Sequence, residues 1–404
     1  MDNFDGIICL GQTPWEGDFQ KAVVQLMTEL SVRHRVLYVD YQYTWKDWAM
    51  GVAGRRDMPV RESIRVADPL VKKTVAGGDV HVWHPPLMLP INWLSAKPFD
   101  WFMRRNAGRL TTGLRRAMRR LDIAKPLVIN AFNPTLGLLM LNRLGEAGTI
   151  YYCFDEIKAN AWTSRHGSRY ESAYLKRVDA VVTTSETLRR SKSRWQPNAY
   201  CVKNGVNFEL FNQARQLAAT QPTARPVVGY LGTADNRIDV DLVEHCARTM
   251  PDVTFQFVGD VREPKLLQRL SACPNVVFTP PHRPAQLPPL LARMTAAMIP
   301  FVCNAHTYTI YPLKINEYLA AGLPVVSTPF SLLGDFDGVI ELADTPTAFA
   351  QALRRALNEH SPQRLNERIA LAKANAWSRR AEEFEVVIGQ LQGAGSANLA
   401  PRIH

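Results

Sequence analysis

No Cys-x-x-Cys pair occurs in this chain, whose six cysteines lie scattered at 9, 153, 201, 246, 273 and 303. Isolated thiols argue against a zinc module or a disulfide scaffold and suit a reducing compartment. There is no His-x-x-x-His, so no metal cofactor is expected. No apolar run reaches the ~18 residues that span a bilayer. The opening Met1-Asp2-Asn3-Phe4-Asp5 has no basic stretch, and a cytoplasmic body without a secretory signal is the expectation. Acidic charge is scarce as well: 37 Asp and Glu face 48 Lys and Arg, leaving a net charge of +11. Such an excess favours polyanions, whether nucleic acid, an anionic membrane or phosphorylated ligands.

What is present fits two domains with a substantial core, since 404 residues carry 46% hydrophobic and 21% charged side chains. An apolar strand from Gly6 to Leu10, a turn-rich loop to Gly17, a helix from about Phe19 to Ser31 and a strand from Val36 to Asp40 form a βαβ unit. Further strands are predicted at Leu127–Ala131, Thr149–Phe154 and Ala180–Thr184. Between Tyr41 and Lys97 the periodicity fails, and the tryptophans there either face an acceptor or plug the core. Gln213–Arg225 reads as a linker. Beyond it come strands at Val227–Gly232, Val253–Val258, Val276–Phe278 and Ala296–Pro300, with helices at 239–250, Pro264–Leu270 and Pro284–Arg293 between them. Repeated βα units in both halves predict an α/β protein with two Rossmann-like sheets facing each other across a cleft, with ligands at the carboxyl ends of the strands.

Position narrows the choice of anionic partner. Arg104, Arg105, Arg109, Arg115, Arg116, Arg119 and Arg120 crowd one segment, in which Phe99, Phe102, Met103, Leu110, Leu114, Met118 and Leu121 recur three or four residues apart. The pattern predicts a basic amphipathic helix with Trp93 and Trp101 near its start. It is either an ordinary surface helix or one whose arginines face lipid headgroups, and both hold if the apolar stripe packs inward. An anionic membrane surface met by Trp101 and these arginines is the expected partner; nucleic acid is not.

The richest stretch runs from Tyr311 to Thr328. Pro312 is placed at a first helical position, Gly322 ends the helix in the left-handed conformation, and a β-branched strand begins at once. Lys314 stands in the first turn, where free N–H groups and the helix dipole favour a phosphate. Glu317, one turn further on the same face, accepts hydrogen bonds without donating any and suits a pair of sugar hydroxyls. The pair fits a nucleotide diphosphate with its ribose. A core helix with solvated charges at one end is the plainer alternative.

Pro-x-Lys-x-x-Glu-Tyr-x-Ala-x-Gly-x-Pro-Val-Val, from Pro312 to Val326, resembles the donor-binding segment of GT-B-fold glycosyltransferases, in particular the bacterial group 1 family that builds surface polysaccharides. In the wider family a first glutamate stands eight residues before the second; here that place is Thr309, and Lys314 with Glu317 matches the variant pattern of capsule and teichuronic-acid type enzymes. Val202-Lys203-Asn204-Gly205-Val206-Asn207, followed by Phe208 and Phe211, resembles the family signature that leaves the N-terminal domain. The resemblance covers nearly the whole chain. It implies an acceptor- and membrane-facing domain over 1–205, a donor domain over 206–375, and a last segment, 376–404, whose helix from Ala376 to Gln390 crosses back to the first domain before a frayed tail from Gly393.

The implied reaction is hexosyl transfer from a nucleotide diphosphate sugar, UDP favoured, to a lipid-linked or polysaccharide acceptor at the inner face of the cell membrane. Charge grows on the leaving phosphate, so donors there matter most in the transition state. Lys314 is the main candidate, with Gly232, Thr233, Arg237, His282, Tyr311 and Glu317 completing the expected donor site. On the acceptor side, Asp155 ends the strand beginning at Thr149, and desolvation in a cleft would make it a better base. Its position resembles that of the catalytic aspartate in some inverting exopolysaccharide transferases, and a helix cap is the alternative. Asp239-Val240-Asp241 and Asp335-Phe336-Asp337 match the metal-binding Asp-x-Asp of another fold and are read as structural. A nucleotide-sugar epimerase of the same fold and a non-catalytic basic scaffold are the rival functions.

Overall fold

The computed structural model describes residues 4–17, 21–55, 69–75, 77–159, 161–218 and 225–395. Its chain forms two units, one containing Lys21–Val202 and the other Lys203–Arg380, and the segment from Ala381 counts again with the first.

In the first unit, β1 (Gly6–Leu10), α1 (Ala22–Leu30) and β2 (Val36–Val39) are followed by α2 (Trp45–Val52) and the hairpin of β3 (Leu70–Val75) and β4 (Gly78–Trp83). Then come α3 (Ala96–Arg120), β5 (Pro126–Ala131), α4 (Pro134–Met140), β6 (Gly148–Cys153), α5 (Ala161–Leu175), β7 (Ala180–Thr183), α6 (Glu186–Lys192) and β8 (Ala199–Cys201). The sheet has the order β3-β4-β2-β1-β5-β6-β7-β8, with β3 antiparallel to β4 and the other pairs parallel. Strands β1, β2, β5 and β7 are buried at every residue, as a parallel strand covered on both faces requires. The order reverses between β1 and β5, which places the switch point of the sheet there.

Between Tyr41 and Lys97, where the periodicity predicts nothing regular, the structure contains α2, β3 and β4. A capping box starts α2: the Thr44 hydroxyl accepts from the Asp47 N–H at 3.2 Å, and the Asp47 carboxylate accepts from the Thr44 N–H at 2.8 Å. That box has aspartate where glutamate or glutamine is usual. Strand β3 is an edge strand with Lys72 and Lys73 in its middle, a pattern that blunts the edge and hides the alternation.

The second unit contains α7 (Phe208–Ala218), β9 (Val227–Leu231), α8 (Val240–Thr249), β10 (Thr254–Val258), α9 (Pro264–Leu270), β11 (Val276–Thr279), α10 (Leu287–Leu291) and β12 (Ala296–Ile299). It continues with α11 (Leu313–Ala320), β13 (Val325–Ser327), β14 (Glu341–Leu342), α12 (Pro346–Leu357), α13 (Pro362–Ala374) and the start of α14 (Trp377–Gly395). Its six strands are parallel in the order β11-β10-β9-β12-β13-β14, with the switch point between β9 and β12. Helix α7 takes up the first residues of the expected linker, because Phe211 and Ala214 are buried; 219–224 lie outside the described residues. Asn207 of the second signature caps it, accepting from the Leu210 N–H at 3.2 Å. The helix expected over Pro284–Arg293 is a 3₁₀ turn followed by the short α10. Helix α14 continues through the residues expected to fray at Gly393, and 396–404 lie outside the described residues.

Candidate active site

In the second unit the switch point is built from the turn after β9, the end of β12 and the first turn of α11. Pro312 is the residue before α11, with φ −79°, and not its first helical position. Its missing N–H is as harmless there, since no intrahelical acceptor exists for it. At the other end Gly322 has φ +80°, its N–H donates to the Leu319 carbonyl at 2.9 Å, and the Leu323 N–H donates to that of Tyr318 at 3.0 Å. These two bonds are a Schellman end, and they stop the helix where the strand begins. The Leu231 N–H donates to the Tyr318 hydroxyl at 2.7 Å, tying α11 to the end of β9.

That anchorage brings Lys314 against Gly232. A Cβ on Gly232 would lie 2.6 Å from the Lys314 Cε, and the φ of +113° there disfavours any side chain. The ammonium lies 5.4 Å from the centroid of the Tyr230 ring and 5.7 Å from that of Phe301. Among the described residues it has no ion pair or hydrogen bond, and the Glu317 carboxylate accepts no hydrogen bond. Burial, with repulsion from Arg237, holds Lys314 below the usual lysine range, against the attraction of Glu317 and Asp235. Burial likewise pushes Glu317 above the usual carboxylate range, with Lys314 opposing it. A poorly solvated cation without a counter-ion beside a helix N-terminus is arranged to receive an anion.

The other expected donor residues are placed less evenly. Arg237 is in the same turn, 5.3 Å over the Phe301 ring, and both arms of a fork to Asp235 measure 2.8 Å. Thr233 is half-buried and its carbonyl accepts from the Tyr230 hydroxyl at 3.0 Å. Tyr311 is buried in the hydrophobic core of the unit, 5.8 Å from the Phe336 ring. His282 is half-buried beyond β11, the edge strand two places from β9, with its ring bonded to the Pro280 carbonyl at 2.7 Å. Thr309, at the place of the family's first glutamate, donates to the His306 carbonyl at 2.8 Å. The Asp-x-Asp residues serve structure: Asp239 caps α8, Asp241 pairs with Arg269 at 2.6 Å, and Asp335 pairs with Lys203.

In the first unit, Asp155 lies two residues beyond β6 and is half-buried, and its carboxylate accepts from the Glu156 N–H at 2.8 Å. Glu156 is held by Lys192 at 3.3 Å, which also meets Glu171 at 3.0 Å; Lys192 is 3% exposed. The Tyr151 hydroxyl donates to Glu171 at 3.1 Å, completing a buried ionic cluster that the sequence does not announce. Nearer the switch point, Phe132 has φ +60°, a strained conformation for a bulky residue. Asp40, just past β2, accepts from the Trp15 N–H at 2.7 Å and meets the Nδ1 of His84, just past β4, at 2.8 Å. His84 is a functional candidate the sequence reading missed.

On α3 the buried stripe includes Phe99, Met103, Ala107, Leu110, Leu114 and Met118, whereas Arg104, Arg105, Arg109, Arg115, Arg116, Arg119 and Arg120 are exposed. Trp101 is exposed with the Arg105 guanidinium 4.1 Å over its ring, and Trp93 is 71% exposed. Among the described residues no helix is long and apolar enough to cross a membrane.

Residues 225–359 match the family model described as "Glycosyl transferases group 1". The second unit thus carries a group 1 glycosyltransferase domain, as the signature at Pro312–Val326 implied. A Bacillus subtilis protein described as "Putative teichuronic acid biosynthesis glycosyltransferase TuaH" is 28% identical over an alignment of 222 residues that covers 52% of this chain and 56% of that protein. The match therefore spans little more than half the length of that curated relative. Among solved structures, a sucrose-phosphate synthase from Thermosynechococcus elongatus superposes with a TM-score of 0.68 at 15% identity, covering 96% of this chain and 100% of that one. A UDP-forming α,α-trehalose-phosphate synthase from Burkholderia vietnamiensis gives 0.69 at 11%, covering 99% and 100%. Anabaena Alr3699/HepE, solved with UDP and glucose, gives 0.61 at 14%, covering 96% and 100%. At these identities the likeness establishes the fold, which is GT-B with its two Rossmann-like domains.

Proposed function

We propose that the chain is a glycosyltransferase that moves a sugar from a nucleotide diphosphate, UDP favoured, to a lipid-linked or polysaccharide acceptor during bacterial surface-polysaccharide assembly. The observation that carries the reading is the unpartnered Lys314, one turn from an equally unengaged Glu317 and packed on Gly232 at the switch point of the second sheet. Lys314 and the α11 N-terminus meet the diphosphate, with Arg237 nearby, and Glu317 takes the ribose hydroxyls. The printed name of the TuaH relative supports a surface polysaccharide as product, and the UDP in the HepE structure supports the nucleotide. The exposed arginine face of α3, with Trp101 and Trp93, supports work at an anionic membrane. A hydroxyl acceptor needs a proton acceptor, and Asp155 is the first carboxylate to test, through the kinetics of Asp155→Asn.

The deciding experiment measures release of nucleoside diphosphate from a panel of UDP- and GDP-sugars with a bacterial lipid extract as acceptor. Transfer that requires the extract is the expected result. Epimerised donor without transfer would make the protein an epimerase, and inertness toward every donor would leave a binding scaffold. Nucleotide sugars should also raise the melting temperature, since a ligand at 100 times its Kd stabilises by roughly 2.7 kcal/mol.

A further inference from the structure

Both ends of α11 border a space that can hold a ligand. Lys314 and Glu317 stand toward its start, on the carboxyl side of the second sheet. Its far end runs through Gly322 into the amino end of β13, and there the second unit has a cavity of about 720 Å³. Thr295 and Pro324, the residues just before β12 and β13, are part of its wall, so the cavity lies at the opposite edge of the sheet from the switch point. The last turn of α7, the turn after α11 and the 359–362 link into α13 supply the rest, all from the same unit. That volume is in the range of small-metabolite sites.

The polar part of the wall is cationic. Arg368 is 4% exposed; its Nε donates to the Gly322 carbonyl at 2.9 Å and its Nη1 to the Glu359 carboxylate at 2.7 Å, while its Nη2 makes no hydrogen bond among the described residues. Arg215, exposed on α7, has one long contact, 3.4 Å to the Asn212 Oδ1. Glu359 is the single acidic residue of the wall, so two arginines leave one positive charge in excess, and His360 adds another when protonated. The 13-residue α13 begins at the same wall with its capping Ser361, and its dipole favours an anion there. Leu323 and Leu365 supply apolar surface beside these groups.

We propose that this cavity is a second ligand site, separate from the donor site, and that its ligand is a small phosphate ester of the sugar-phosphate class. The phosphate meets the Arg368 Nη2 and the Arg215 guanidinium, whose planar forks match its oxygens. Gln216 and His360 take sugar hydroxyls, and the carbon face of the sugar lies against Leu323 and Leu365. Because Arg368 also holds the Gly322 carbonyl, the ligand is tied to the end of the helix whose start carries Lys314.

The test uses the full chain and three probes: glucose 6-phosphate, inorganic phosphate and glucose. In calorimetry glucose 6-phosphate should bind, inorganic phosphate should bind more weakly, and glucose should not bind. Saturating UDP should leave the binding in place, and so should Lys314→Ala, which separates this site from the donor site. Arg215→Gln should weaken glucose 6-phosphate by about tenfold or more, the loss of one charge-assisted contact. Gln216→Trp, which puts a bulky ring on the wall, should abolish it. Both residues are exposed on α7, so the melting temperature of the unliganded protein should not change. Amide NMR should place the shifts caused by glucose 6-phosphate around Gly322 and Leu323. No binding of either phosphate probe, displacement by UDP, or undiminished binding in either α7 variant would overturn the proposal. Glucose binding as tightly as glucose 6-phosphate would overturn it as well, since the cations would then have no part.

Discussion

The two sheets share a plan and keep their charge in opposite places. Both pair their strands in parallel around a central strand, apart from the antiparallel edge strand β3 of the first, and both reverse order beside it. The second unit keeps a cation at its switch point, with Lys314 in a poorly solvated position against Tyr230 and Phe301. The first unit has the neutral Gln42 and Asn133 beside its switch point, and spreads seven arginines along the outer face of α3. A desolvated charge interacts strongly with one partner at short range, whereas solvated charges act weakly and together on a surface. Under the proposed function, the contrast would give phosphate binding to the second unit and membrane contact to the first.

Removing the buried cation is the severest way to break that contrast. A cation ~4 Å from a phosphate is worth up to about 4 kcal/mol at an effective dielectric near 20, so Lys314→Ala should cut turnover by as much as about 10³. Its melting temperature should not fall, because no ion pair among the described residues is lost. A variant that melts early yet turns over normally would make Lys314 structural. The exposed cations come next. Replacing Arg115, Arg116, Arg119 and Arg120 with glutamine should weaken liposome partition by roughly fivefold per residue, less at high salt. Co-sedimentation unaffected by substitution and by salt would remove α3 from the membrane.

Glu317→Ala should weaken nucleotide binding by roughly 1.5–3 kcal/mol with less effect on turnover. Wild-type affinity for both UDP and GDP in calorimetry would rule out its ribose role. The smallest effect is pH dependence. A bound diphosphate favours protonated Lys314, so the complex has the higher lysine pKa and the free protein the lowered one. Affinity is full below the free-protein value and is lost as the pH rises through it, in a mildly alkaline range where a lysine of pKa about 10.4 would keep its charge. A UDP dissociation constant that stays flat to about pH 9.5 would show that Lys314 does not meet the phosphate.

Local punctuation made α11 legible: its proline, its glycine and the lysine and glutamate one turn apart lie within a few positions of one another. The βα alternation gave both sheets for the same reason, since buried parallel strands announce themselves as apolar runs. What stayed hidden depends on register or on burial of unexpected residue types. Asp40 and His84 meet because β2 pairs with β4, which no window of sequence contains. Strand β3 escaped because its central lysines break the alternation, and the burial of Tyr311 in the core follows from packing that no short window shows. Lys192 is an ordinary lysine in sequence, and its burial follows from the fold around it.

That lysine constrains how the chain can change over time. Glu156 and Glu171 share the single ammonium of buried Lys192, so losing Lys192 strands two carboxylates, at a cost of about 3–5 kcal/mol, whereas losing one glutamate leaves a matched pair. Replacing the whole group by apolar side chains of similar volume is close to neutral. Across related chains, loss of the lysine at 192 should therefore be accompanied by loss of both glutamates, while one glutamate can be lost alone.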